Sequence, residues 1–182
     1  MTYSEWMRKY RRNLGIPLVL LAAYFAGLNP KFALPSTILV VAGETLRLWA
    51  AGHLRKEALI TTGGPYGFVR NPLYIGSFLI AIGFCLISDS IWVWILVLAY
   101  FILCYLPVIR FEEKVLREKF PNEYSKYSGI VPALVPTLRR YPNPTTKFSW
   151  KQVIANKEYN AVLGILVTYA FLIVKSKVLP SF

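Results

Sequence analysis

The sequence predicts an all-α, polytopic integral membrane protein of about five spanning helices, with a pocket on its cytoplasmic side. Three observations carry that prediction. Hydrophobic residues make up 55% of the 182-residue chain and mean hydropathy is +0.45, more apolar residue in blocks than a soluble domain carries. The blocks are separated by Pro, Asn, Gly and Asp punctuation, and basic residues gather on alternate connections between them. No flexible linker and no internal repeat is visible, so a single membrane domain over residues 1–182 is expected.

The first apolar run covers residues 14–28 and stops at Asn29-Pro30. Arg8, Lys9, Arg11 and Arg12 precede it and read as a cytoplasmic anchor, because no small-x-small cleavage site follows them. The second run, 34–51, opens with Pro35, which a first helical turn tolerates. It contains Glu44 and Arg47, three residues apart on one face. Charges inside a membrane are costly, so the pair implies either a mutual salt bridge or a substrate role. His53 follows at the end of that run. The third run starts after Pro72 and ends near Ile87, and Ser88-Asp89-Ser90 makes a tight turn into the fourth, 91–109. That fourth run is the clearest span, long enough for a hydrocarbon core of roughly 30 Å. Pro132, Pro136, Pro142 and Pro144 then predict an extended wrap rather than a helix. A last apolar run, 161–174, follows the polar stretch 147–160. Several runs are short, which implies tilt or extension beyond the apolar layer.

Counting Lys and Arg sets the orientation. The N-terminal arm has four, residues 55–70 have three and residues 110–157 have ten, against Lys31, Lys175 and Lys177 on the other side. The positive-inside rule therefore predicts a cytoplasmic N terminus and places both the 55–70 connection and the 110–157 segment on that face. The net charge of +12 is spread beside apolar runs, which suits anionic membrane lipids and argues against nucleic acid. Cys85 and Cys104 sit inside apolar runs and read as small core residues. One His and no Cys/His spacing argue against a zinc site.

Two polar clusters fall at the same end of one hydrophobic hairpin. The first is Gly64-Pro65-Tyr66-Gly67-Phe68-Val69-Arg70-Asn71-Pro72-Leu73-Tyr74-Ile75-Gly76. The second is Arg110-Phe111-Glu112-Glu113-Lys114-Val115-Leu116, continued by Phe120-Pro121-Asn122-Glu123-Tyr124-Ser125-Lys126-Tyr127. A structural hairpin needs only snorkelling Lys or Arg there. A Gly/Pro/Tyr turn facing a pair of acids is better explained by a polar ligand held at the membrane edge. Arg70 and Tyr74, four apart, share one face of a first helical turn, whereas the adjacent Glu112 and Glu113 point about 100° apart and are poorly arranged as a paired acid and base.

These blocks resemble the isoprenylcysteine carboxyl methyltransferase and phospholipid methyltransferase type of membrane enzyme. That type carries G-P-Y-x-x-x-R-H-P-x-Y-x-G, then E-E-x-x-L-x-x-x-F-x-x-E-Y-x-x-Y after a hairpin. The resemblance covers residues 46–136 and leaves 137–182 as an additional C-terminal segment. Asn71 stands where the family usually has His, keeping a hydrogen-bonding side chain but losing a proton relay.

The resemblance implies S-adenosylmethionine as cofactor and a lipophilic methyl acceptor, reached laterally from the bilayer. It implies that the strip from Leu59 and Ile60 through Tyr66, Arg70, Asn71 and Tyr74 lines the cofactor, together with Glu112 and Glu113. Arg70 is positioned to fork onto a carboxylate such as the cofactor's, and Arg70 and Tyr74 are the candidate catalytic residues. One of the two acids is expected to face the site and the other an internal basic partner. His53 is a further candidate for cofactor contact, against the alternative of a solvated interfacial His. Tyr66, Tyr74, Tyr124 or Tyr127 could offer a ring face to a sulfonium. No residue stands out as a general base, which favours a carboxylate or thiolate acceptor over an ammonium. Two other readings stay open. Sterol reductases share a similar R-H-P-x-Y-x-G block and a later acidic segment, which would place NADPH here, and the Asn71 departure leaves room for a non-catalytic lipid-binding scaffold.

Overall fold

The computed structural model describes residues 3–55 and 58–178; Lys56, and the side chains of Arg8, Lys9, Arg11 and Arg12, lie outside the described residues. Among them the chain is all-helical, with no strand. Helix α1 runs Tyr3–Phe25, α2 Ala33–His53 and α3 Pro72–Ser88. Then come α4 (Ile91–Tyr100), a single π-helical turn (Phe101–Tyr105) and α5 (Leu106–Lys119), which read as one continuous rod. Helices α6 (Pro121–Ile130), α7 (Trp150–Ala155) and α8 (Tyr159–Val178) complete the chain.

Helices α2, α3 and α8 begin and end within a few residues of the expected runs, and Asp89 makes the 88–90 turn by adopting left-handed backbone at φ 48°. Two boundaries differ. Helix α1 starts at Tyr3, so the basic arm belongs to the helix rather than preceding it. A short helix, α7, interrupts the polar stretch 147–160. Among the described residues two helices, Ile91–Lys119 and Tyr159–Val178, are long and apolar enough to cross a membrane, and α3 is a shorter apolar helix. Both long helices leave large apolar side chains uncovered, Ile102 at 57% and Leu166 at 61% exposure, as expected where lipid is the solvent.

The main helix contact is α2 against α3, which pack closely because glycines face each other. A Cβ on Gly43 would lie 2.6 Å from the Gly76 carbonyl oxygen, and one on Gly76 the same distance from that of Gly43. Small residues let helix backbones approach in this way, and that approach is a recurrent basis of helix association in lipid. At the far end, Ala26, Cys85, Ile87, Val93 and Leu172 join α1, α3, α4 and α8. There Lys175 Nζ donates to the carbonyls of Ala23, Tyr24 and Ala26 at 2.9, 2.6 and 2.6 Å, capping the end of α1 with all three of its donors.

The connection between α2 and α3 is buried rather than a surface loop. Every residue from 60 to 67 is buried, including the 3-10 turn Gly64–Gly67. Buried backbone must find partners, and the expected extended wrap, non-helical over 131–149, supplies them. Arg70 N–H donates to the Pro132 carbonyl, Thr137 N–H to that of Phe68 and Tyr141 N–H to that of Gly67, each at 2.9 Å. The Thr145 hydroxyl donates to the Ile60 carbonyl at 2.7 Å, and the Thr62 hydroxyl to that of Asn143 at 2.7 Å.

The α2–α3 contact predicts that Gly43→Ala destabilises the protein by about 1–3 kcal/mol through overpacking against backbone. Gly164→Ala, where a Cβ meets nothing within 4 Å, should be neutral or stabilising. Thermal unfolding of both variants in the same detergent checks the contrast.

Candidate functional site

Pro72 opens α3 and keeps the residue before it out of helical backbone, so Asn71 sits at the N-cap position with φ −122° and ψ 55°. Its side chain does not cap the helix. Instead the amide donates twice, to Glu113 Oε1 and to the Ala133 carbonyl, each at 3.1 Å. A neutral imidazole has one N–H to give, so Asn at this position makes two simultaneous donations that a neutral His does not.

Arg70 precedes it and forks onto the same carboxylate. Nε donates to Glu113 Oε1 at 2.9 Å and Nη2 to Oε2 at 3.2 Å, while Nη1 donates to the Ser128 carbonyl at 3.1 Å. One turn into α3, the Tyr74 hydroxyl donates to Glu112 Oε2 at 2.9 Å. The two acids lie 100° apart on α5, yet both reach α3, because one meets its N-cap and the other its first turn. The two sequence clusters therefore meet side chain to side chain. Glu113 has the internal basic partner expected of one acid, but that partner is Arg70 itself, so the fork expected to hold a ligand's carboxylate is closed on Glu113.

These residues line a cavity of about 130 Å³. Leu59, Ile60, Leu73 and Leu116 form apolar wall, and Arg70, Asn71, Tyr74, Glu112 and Glu113 supply polar groups. Tyr66, Tyr124 and Tyr127 bring three buried rings. The Tyr127 hydroxyl donates to the Tyr66 carbonyl at 2.7 Å, which locks the 3-10 turn to α6. The Tyr124 hydroxyl is buried beside the Glu113 carboxylate at the cavity. Burial, with the Glu113 charge adding to it, pushes the Tyr124 hydroxyl up to about 12. Burial likewise raises Tyr66 and Tyr127, so all three remain protonated donors at neutral pH.

All but one of the expected site residues converge here. His53 does not. It lies across the 3-10 turn from the cavity, with Nδ1 2.9 Å from the Trp49 carbonyl and its ring 5.8 Å from that of Phe148. Arg55 and Leu116 line the cavity without having been singled out from the sequence. Arg55 follows an apolar helix end, where any Arg suggests snorkelling, so its sequence context carried no signal. Leu116 was visible only as one position of the second block.

An all-helical, apolar-surfaced fold with an acid-, arginine- and tyrosine-lined cavity at one end of a helix hairpin is the architecture of a membrane protein. The family model for phospholipid methyltransferases matches residues 33–123, and the chain belongs to that family. The matched segment contains Arg70, Asn71, Tyr74, Glu112 and Glu113; Tyr124 and Tyr127 lie just beyond it. Three relatives are similar over part of the chain. A nickel-cobalt-cadmium resistance protein from Alcaligenes xylosoxydans xylosoxydans is 31% identical over 75% of this chain and 66% of its own length. A cobalt-zinc-cadmium resistance protein from Cupriavidus metallidurans is 35% identical over 55% of this chain and 47% of its own. A protein-S-isoprenylcysteine O-methyltransferase from Schizosaccharomyces pombe is 32% identical over 58% of this chain and 44% of its own. The chain thus spans less than two thirds of each relative. No solved structure matches.

The Arg70–Glu113 pair is mostly buried, with side-chain exposures of 14% and 18%. Removing either partner alone leaves an uncompensated charge, so Glu113→Ala and Arg70→Ala are each expected to cost roughly 3 kcal/mol, and the double variant well under their sum. A double-mutant cycle on unfolding in detergent measures the coupling.

Proposed function

We propose that the chain is a multi-pass membrane methyltransferase that uses S-adenosylmethionine, held at the cytoplasmic face in the cavity lined by Arg70, Tyr74, Glu112 and Glu113, to methylate a lipophilic acceptor. The observation that carries this reading is the joining of the two sequence blocks through Arg70, Asn71 and Glu113 on one side and Tyr74 and Glu112 on the other. Family membership and the isoprenylcysteine methyltransferase relative support methyl transfer. The resistance proteins are named for tolerance to metals, which leaves their chemistry unstated.

The donor set suits this cofactor. Carboxylates suit an ammonium and ribose hydroxyls, aliphatic wall suits a purine, and tyrosine faces suit a sulfonium. Glu112 and the Tyr74 hydroxyl that it orients are the groups assigned to hold the cofactor's polar end. With Arg70 committed to Glu113, Arg55 at the cavity margin is the cation assigned to its carboxylate. Bound, the cofactor supplies a methyl group on a positively charged sulfur. The protein contributes placement and dryness, since buried Tyr66, Tyr124 and Tyr127 exclude water while an acceptor arrives between helices. The protonated tyrosines are no base at neutral pH, which favours an acceptor that is already a carboxylate or thiolate. A cavity of about 130 Å³ is below the usual ligand range of roughly 300–1,000 Å³, so binding requires the wrap or α6 to move outward.

Calorimetric titration of the detergent-purified protein with S-adenosylhomocysteine, and with NADPH in parallel, tests this reading. Saturable binding of the first alone is expected, weakened roughly tenfold or more by Glu112→Ala and by Arg70→Ala. NADPH binding alone would move the protein to the sterol-reductase reading. Unchanged affinity in both folded variants would remove the cavity from the reading.

A further inference from the structure

Across the 3-10 turn from the cavity lies a second, open groove of about 520 Å³. His53, 6% exposed, and Gly64 form its floor. Gly64 is left-handed at φ +57°, and a Cβ there would come within 2.5 Å of the His53 ring, so ring and main chain are in contact. The rings of Trp49 and Phe148 form the walls, and remain 43% and 40% exposed. The margin carries Arg140 and Lys147, both exposed, and no carboxylate lines the groove. Thr146, also at the lining, has a buried hydroxyl with no hydrogen-bond partner.

This chemistry is two-sided. Two cations and an unpartnered hydroxyl suit a phosphate, while the exposed rings are useless to a bare inorganic ion. Trp49 sits near the end of α2, where apolar helix gives way to the buried connection. Trp150 and Ile154 of α7, which packs on α2, continue the apolar surface at 66% and 65% exposure. Tryptophan beside Lys and Arg at the end of an apolar helix matches the head-group layer of a bilayer.

We propose that this groove binds the head group of an anionic phospholipid. Arg140 and Lys147 pair with the phosphate, the Thr146 hydroxyl donates to it, and Trp49 and Phe148 cover the glycerol region. A head group held there braces residues 140–148 against the turn whose other face carries Tyr66, so the lipid supports the back wall of the first cavity. The assignment does not depend on which reaction that cavity performs.

The test titrates the full-length protein in detergent with short-chain phosphatidylglycerol, short-chain phosphatidylcholine and inorganic phosphate, read by calorimetry. One saturable phosphatidylglycerol site is expected, weakened roughly tenfold or more in the Arg140→Gln/Lys147→Gln variant and several-fold in Thr146→Val. The control pair Lys114→Gln/Lys119→Gln, on α5, should bind as wild type. Equal affinity for phosphatidylcholine, or unchanged affinity in the groove variants, overturns the proposal. So does inorganic phosphate binding as tightly as the lipid with the same residue dependence, because the site would then be for the free ion.

Discussion

Glu113 is the point on which the candidate site depends. One carboxylate accepts both arms of Arg70 and one arm of Asn71, and those two side chains also reach the Ser128 and Ala133 carbonyls. Four pieces of chain are thereby fixed to each other: the start of α3, helix α5, the end of α6 and the wrap. A buried ion pair adds little net stability once desolvation is counted. Its value here is geometric, because it ties the start of α3 to α5, two helices that otherwise share few contacts. With Glu113 fixed, Glu112 has one place to point, and Tyr74 meets it.

The buried connection between α2 and α3 is the second constraint. Eight consecutive buried residues, 60 to 67, would be intolerable without hydrogen-bond partners. The wrap provides them by running alongside in extended form, which its prolines favour because each lacks an N–H and disfavours helix before it. Thr62 and Thr145 exchange hydroxyl and amide contacts at 3.0–3.1 Å and hold the two strips in register. The prolines and threonines of 132–146 therefore support the connection that forms the cavity's wall without lining that cavity themselves. The same strip has two working faces, with Tyr66 turned to the first cavity and Gly64 to the groove beside His53.

What was legible in the sequence was what depends on neighbours along the chain. Apolar blocks bounded by Pro and by the Ser88-Asp89-Ser90 turn located α2, α3 and α8, and the two polar blocks, expected at the same end of one hairpin, do meet there. The start of α1 was misplaced because basic residues mark where an apolar run begins, while a helix can continue through them. Pairings between distant segments were invisible. Nothing local says that the Arg70 fork closes on Glu113 and not on a ligand, or that His53 turns toward Phe148. Arg55 was overlooked for a related reason, since only the fold shows that its neighbours form a cavity.

The charges on α2 show both what spacing reveals and what it leaves out. The Glu44–Arg47 salt bridge that sequence spacing suggested is present at 3.7 Å, and Arg47 has a second, closer partner that spacing did not reveal, Glu158 at 2.5 Å, just before α8. Arg47 also donates to Ser77 Oγ and, at 3.5 Å, to the Leu73 carbonyl. One guanidinium thus binds α2 to α3 and to the foot of α8, where α8 has few other contacts of its own. Gly76 makes this possible, because the Arg47 stem lies where its Cβ would be, 2.5 Å away. The close α2–α3 approach and the buried charge are therefore one device: the glycines bring the backbones together, and Arg47 threads the space they leave. Leu73 links that device to the cavity, since its carbonyl accepts from Arg47 and the residue lines the cavity wall. A costly part-buried charge is accounted for here by position, since it steadies the wall of a cavity it does not touch.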